Sequence, residues 1–233
     1  MRRMHNPGRV AGLWYLILAL LGPVRLIYIP DHVFVEGNAG ATASNIAAHE
    51  MLVRLGVAAD LVCAVVLVFL TLAFFRLFKD VDRNLAVLVV ILGGIMPSLL
   101  YFVGVVADLG ALMVVRDPGF LSAFDKPQQD ALAMLLLRLR GTLNTAAEIL
   151  WGAWLFPLGI LIYKSRFIPR FLGVWLVLGG VAYVILSFTG VLAPQYQGTV
   201  FRFSQSAFFG ELAIVLWLVI RGAQPPSPAE ASD

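Results

Sequence analysis

Apolar residues along this chain gather into six long runs, at 10–29, 53–75, 85–106, 143–163, 171–192 and 207–220. A helix needs ~20 residues to cross ~30 Å of hydrocarbon, and each run reaches or approaches that length. The pattern predicts an all-α polytopic membrane protein, a compact six-transmembrane-helix bundle. It assigns residues 1–222 to one membrane domain and 223–233, rich in proline with an acidic end, to a short disordered cytoplasmic tail. Two helices look longer than the bilayer. Residues 42–78, if continuous, extend ~55 Å, and residues 128–163 extend ~54 Å. Thr42 or Ser44 is expected to cap the first of these. The outer parts either form a cover over the outer face or break near Gly56 and Gly141 and lie flat at the interface. Asp125 with Pro127 marks a helix start. Pro97, after Gly93-Gly94, and Pro157 are expected to bend the spans that contain them.

Basic residues set the orientation. Arg2, Arg3 and Arg9 precede the first run. Arg76, Lys79 and Arg83 follow the second. Lys164, Arg166 and Arg170 follow the fourth, and Arg221 follows the sixth. With alternating spans all of these fall on one side, so both termini are expected in the cytoplasm. The other loops carry Asp31, Glu36, Asp117, Asp125 and Asp130 with few basic residues. The first run is too long for a secretory leader, and small-x-small sites come well after it, so it reads as an uncleaved first helix. Composition agrees: 60% of 233 residues are hydrophobic and 13% charged, too little polar surface for a soluble core. The net charge of +3 comes from basic residues at helix ends, so nucleic acid is not an expected partner. Membrane lipid is. Cys63 is the single cysteine, which excludes an intramolecular disulfide and a cysteine-based metal site; it reads as a small core residue.

Charged residues inside the runs are the candidate chemistry, because such groups are costly unless paired or functional. Arg25 lies 16 residues after Arg9, Asp60 lies 16 before Arg76, and Glu148 lies 16 before Lys164. All three therefore sit about 24 Å from the basic boundary, and Arg25 has two acids as candidate partners. Arg140, Asn144 and Glu148 share one helix stripe at i, i+4 and i+8. Glu50 and Arg54 form another i, i+4 pair beside His49, and Asp108 and Arg138 lie near the outer boundary. Glu211 is 10 residues before Arg221, close to mid-membrane, where an ionised carboxylate is hardest to keep. The candidate ligand-binding set is thus Arg25, Glu50, Arg54, Asp60, Arg140, Asn144, Glu148 and Glu211. Such a set can be glue between packed helices, the lining of an outward-facing polar cavity between the first, second, fourth and sixth spans, or a catalytic centre. His5, His32 and His49 are the only histidines and form no zinc-protease pair. No phosphate-binding glycine loop or nucleophile elbow occurs, so no metal and no cofactor are expected.

Several segments together resemble a known family. They are Ala47-Ala48-His49-Glu50 followed by Arg54, Gly56 and Asp60; Leu137-Arg138-Leu139-Arg140-Gly141; Phe167-Ile168-Pro169-Arg170-Phe171-Leu172-Gly173-Val174; and Gly210-Glu211-Leu212 with Leu216-Trp217-Leu218. In that order they resemble the DUF4386 family of bacterial multi-spanning membrane proteins of unknown function. The chain departs from the family pattern at Arg140 and Trp154, where histidine is usual. The resemblance implies a bacterial cytoplasmic (inner) membrane and supplies no activity, substrate or oligomeric state. The resulting expectation is binding or translocation of a small amphipathic or lipid-like ligand. The alternatives are an intramembrane enzyme using buried carboxylates and a structural or signalling membrane partner.

Overall fold

The computed structural model describes residues 6–116 and 118–224, the side chain of Pro118 excepted. Asp117 and the proline-rich stretch 225–233, expected to form part of a turn and a disordered tail, lie outside the described residues, as do Arg2 and Arg3. Six helices are long and apolar enough to cross a membrane: α1 (Pro7–Val33), α3 (Glu50–Phe78), α4 (Arg83–Arg116), α5 (Lys126–Ser165), α6 (Arg170–Leu192) and α7 (Pro194–Ile220). A shorter helix, α2 (Ala39–Ala48), precedes α3. The chain is a multi-span, all-α membrane protein.

Local chemistry explains the helix ends. Asn38, not Thr42 or Ser44, caps α2: its side chain accepts from the Ala41 N–H at 2.9 Å. Thr42 is instead fully buried, and its hydroxyl bridges the N–H and C=O of Val35 at 3.0 and 3.2 Å. α5 starts with a reciprocal capping box. Asp125 accepts from the Gln128 N–H at 2.9 Å, and Gln128 accepts from the Asp125 N–H at 3.0 Å.

The two long helices are interrupted, at positions other than those expected. The interruption between α2 and α3 falls at His49 (φ −111°, ψ 31°), while Gly56 stays helical. Gly56 serves close approach instead: a Cβ there would lie 2.9 Å from Ile29 Cδ1. In α5 the turn at Trp154 separates Lys126–Ala153 from Leu155–Ser165, and Gly141 lies within an unbroken stretch. Pro157 has no N–H to offer the Ala153 carbonyl, which is why the helix loosens there. Pro97 and Pro30 act similarly, since π-helical turns at Val90–Ile95 and Val24–Tyr28 directly precede the helix segments that contain them.

The spans contribute to two compact units. One comprises Val65–Ser98 with the described parts of 1–19 and 145–233; the other comprises Leu20–Ala64 and the described part of 99–144. In the first unit, Phe74, Phe78, Leu155, Leu158, Leu176 and Ile214 form a sealed core. Here α5 and α6 cross at van der Waals contact of their backbones, because Gly152 faces Gly180 and Gly159 faces Gly173. Chain ends meet in this unit too. Gly8 N–H donates to Ala223 C=O at 3.0 Å, and Asn6 Oδ1 accepts from Ala223 N–H at 3.0 Å. Gly222 (φ +74°) makes this return, a backbone conformation suited to glycine. Asp82, which caps α4 through the Leu85 N–H at 3.2 Å, also takes Lys164 at 2.9 Å. Lys164 and then the backbone donor hold the partly exposed Asp82 carboxyl below the usual aspartate range.

In the second unit, Val33, Ile46, Val53, Leu112 and Ala133 form the core. Ile46 belongs to α2, so this helix packs into the unit by an apolar face.

Candidate functional site

Charged groups buried in the second unit converge on Asp60. Asp60 sits on α3 with its side chain 2% exposed, and Arg25 of α1, 3% exposed, pairs with its Oδ1 through Nε. Arg140 of α5 reaches the other oxygen, Nη2 to Oδ2, at 2.6 Å. The same guanidinium donates through Nε to Asp108 of α4 at 3.1 Å and through Nη1 to Asn144 one turn along α5. Arg25 also lies over the Tyr101 ring, 4.4 Å from its centroid, with the phenol oxygen 3.5 Å from Nη1. Two arginines and two aspartates thus balance in charge across four helices. This balance is what allows them to be buried, since each ion has opposite charge and hydrogen bonds at close range. Gly104 makes room for the arrangement: a Cβ there would lie 2.9 Å from Arg140 Cζ.

The cluster is closed on one side and open on the other. Arg140 and Asp108 keep 12% and 16% of their side-chain surface exposed. The same helices expose apolar residues on other faces: Phe102, Val103 and Val106 on α4, and Leu139 on α5.

Arg25, Asp60, Arg140 and Asn144, four of the candidates read from the sequence, are therefore brought together. Of the two acids expected at the depth of Arg25, Asp60 is its partner. Glu50 and Arg54 form their i, i+4 pair at 2.8 Å, joined by Arg116 on the second Glu50 oxygen. The two arginines are more than half exposed, so this is a solvated rim pair contributing little to stability.

Glu148 and Glu211 belong to the first unit. Tyr15 of α1 donates a hydrogen bond to Glu211, and Tyr183 of α6 lies within electrostatic reach of it. Tyr15 is packed edge-on to Phe74 and lies 5.7 Å from Trp154; Tyr183 stacks on Phe208 at 4.3 Å. Glu148 lies within electrostatic reach of Tyr183, and its Oε2 is buried without a hydrogen-bond partner among the described residues. The expected grouping of the first, second, fourth and sixth spans thus resolves differently. The third span, through Tyr101 and Asp108, completes the Asp60 cluster, while the Glu211 of the sixth span belongs to the other unit.

Tyr101, Tyr15 and Tyr183 were not among the sequence candidates, and Asp108, noted near the outer boundary, was not in the ligand-binding set. Asp108 does carry a signal, an acid four residues after Gly104 on one helix face, but its partner is 32 positions away. A tyrosine in an apolar run carries no such signal, because burial of the ring alone accounts for it. Among the described residues no three of His, Cys, Asp and Glu come together as a ligand set for a metal.

Comparison with known proteins gives a family and no activity. Residues 10–222 match the family model described as "Domain of unknown function (DUF4386)". An uncharacterized protein of Archaeoglobus fulgidus is 34% identical over 74 residues, 32% of this chain and 43% of that protein. The chain thus spans less than half the length of this relative. No solved structure matches the chain.

Proposed function

The chain belongs to the DUF4386 family, and from the geometry of the Asp60 cluster we propose that it binds a small amphipathic, lipid-like ligand with an anionic head. One observation carries this reading. Of four balanced buried charges, Arg25 and Asp60 are sealed, while Arg140 and Asp108 present an open edge. The sealed pair fixes the helices. The open Arg140 can exchange Asp108 for an external anion, because its planar guanidinium offers several donors in a fork matched to carboxylate or phosphate. Leu139, its exposed neighbour in the chain, offers apolar contact for the rest of the molecule. Asp108 released in the exchange lies at the open edge, where it can be hydrated or protonated.

The same reading places both termini in the cytoplasm and the protein in a bacterial cytoplasmic membrane. The basic ends of the first and last spans support this: Arg9 donates to the Ile220 carbonyl at 3.0 Å, next to Arg221.

The test is the lipid content of the full chain purified in native-membrane discs. Wild type and Arg54→Ala should retain a selected anionic amphiphile, enriched over the surrounding membrane. Arg140→Ala should lose that enrichment, and Glu211→Gln should keep it. Identical lipid profiles in all four proteins would refute the proposal.

A further inference from the structure

We propose that Glu211, hydrogen-bonded by Tyr15, is a proton-exchange site in the first unit, separate from the Asp60 cluster. Two features set this carboxyl apart from every other acid in the spans. First, its hydrogen-bond partner is a phenol. Asp60 and Asp108 face arginines, whereas neither Glu211 nor Glu148 forms an ion pair among the described residues. Second, the surroundings are aromatic. Tyr15 is 5% exposed and packed by Phe74 and Trp154, and Tyr183 packs on Phe208 and Trp151.

The physical consequence is a balance between two opposed effects. Removing a lone carboxylate from water favours the neutral acid, and no cation offsets that cost here. The hydrogen bond donated by Tyr15 favours the charged form. When these effects compete, small changes in surroundings or pH move the proton on or off, which a permanently salt-bridged acid cannot do. The bookkeeping is simple: Glu211 gains one proton to become the neutral acid and loses the same proton to return to the carboxylate. Neither tyrosine changes its net charge.

The titratable groups facing Glu211 come from several elements. They are Tyr15 on α1, Tyr183 on α6 and, beyond Tyr183, Glu148 on α5. Glu148 is a second carboxyl with no cation partner among the described residues, and its Oε2 is buried without a hydrogen-bond partner.

Infrared difference spectroscopy on the full chain in lipid discs tests this. Spectra between about pH 5 and about pH 9 cover the range in which perturbed carboxyls change state. The expected result is a protonated-carboxyl C=O band that disappears reversibly on raising the pH. It should be lost in Glu211→Gln and survive in Glu148→Gln. If Glu211→Gln does not fold, Tyr15→Phe should shift the frequency of the same band, since it removes one hydrogen bond to that carboxyl. A wild-type spectrum without such a band, or a band unchanged across the pH range, overturns the proposal. So does a band lost in Glu148→Gln instead, or one unmoved by Tyr15→Phe. Sodium abolishing the band at fixed pH would make this a cation site and also overturn it. Loss of lipid enrichment in Arg140→Ala is a separate outcome, because that residue belongs to the other unit.

Discussion

Asp60→Ala is the substitution that most directly probes the buried charge cluster. Asp60 is the shared acceptor of two guanidiniums, so its removal strips Arg25 of its only carboxylate and leaves it with the Tyr101 ring and a 3.5 Å contact to the phenol oxygen. Arg25 is 3% exposed and cannot recover hydration without moving. Breaking a buried pair by deleting one member costs about 3–5 kcal/mol, mostly as the burden of the orphaned ion. Arg25→Ala should cost less, about 1–3 kcal/mol, because Asp60 keeps Arg140 at 2.6 Å. For a chain of this size 1 kcal/mol corresponds to roughly 2–4 °C in Tm, so Asp60→Ala should lower it by roughly 6–20 °C. The assay is thermal unfolding in detergent for wild type, both single variants and the double variant. Deleting both partners removes the orphaned ion, so the double variant should be more stable than the sum of single losses by about 0.5–3 kcal/mol. A parallel cycle of Arg25→Ala with Glu148→Gln should be additive. Additivity between Arg25 and Asp60, or coupling between Arg25 and Glu148, would refute the geometry.

Three further outcomes follow from separate features. Gly159→Ala places a Cβ 2.6 Å from the Gly173 carbonyl oxygen and should cost about 1–3 kcal/mol, whereas Gly141→Ala meets nothing within 4 Å and should be neutral or stabilising by up to about 1 kcal/mol; chemical or thermal unfolding reads both. Lys164 lowers the Asp82 pKa in the folded protein, so the stability it adds is complete above the ordinary aspartate value and lost as pH falls through the lowered one. Melting curves should therefore show wild type more stable than Asp82→Asn at neutral pH, with the gap closing in acid. Cysteines placed singly at the exposed Asn38 and Ser122, in a Cys63→Ala background, should react with an impermeant thiol reagent in intact cells; labelling only after lysis would reverse the proposed orientation.

The six spans were legible in the sequence because crossing a membrane imposes a local rule: an uninterrupted apolar length for each helix. The capping box at Asp125 and Gln128 was half legible for the same reason, since its partners are three residues apart. Arg25, Asp60 and Arg140 could be singled out one by one, because any charge in such a run is conspicuous. Their pairing could not. A helix fixes the depth of a residue through its rise, but its rotation about its own axis depends on packing against neighbours. Depth alone left Arg25 with Asp60 and Glu148 as equivalent partners, and only the fold placed Glu148 in the other unit. The same limit hid the partners of Asp108 and Tyr15, which lie 32 and 196 positions away. Helix interruptions followed a similar division. The prolines announced weak points, but whether Gly56 acts as a hinge or a contact depended on the Ile29 side chain that fills the space beside it. Local chemistry along one helix can be read from the order of residues, whereas contacts between helices exist only once rotation and packing are set.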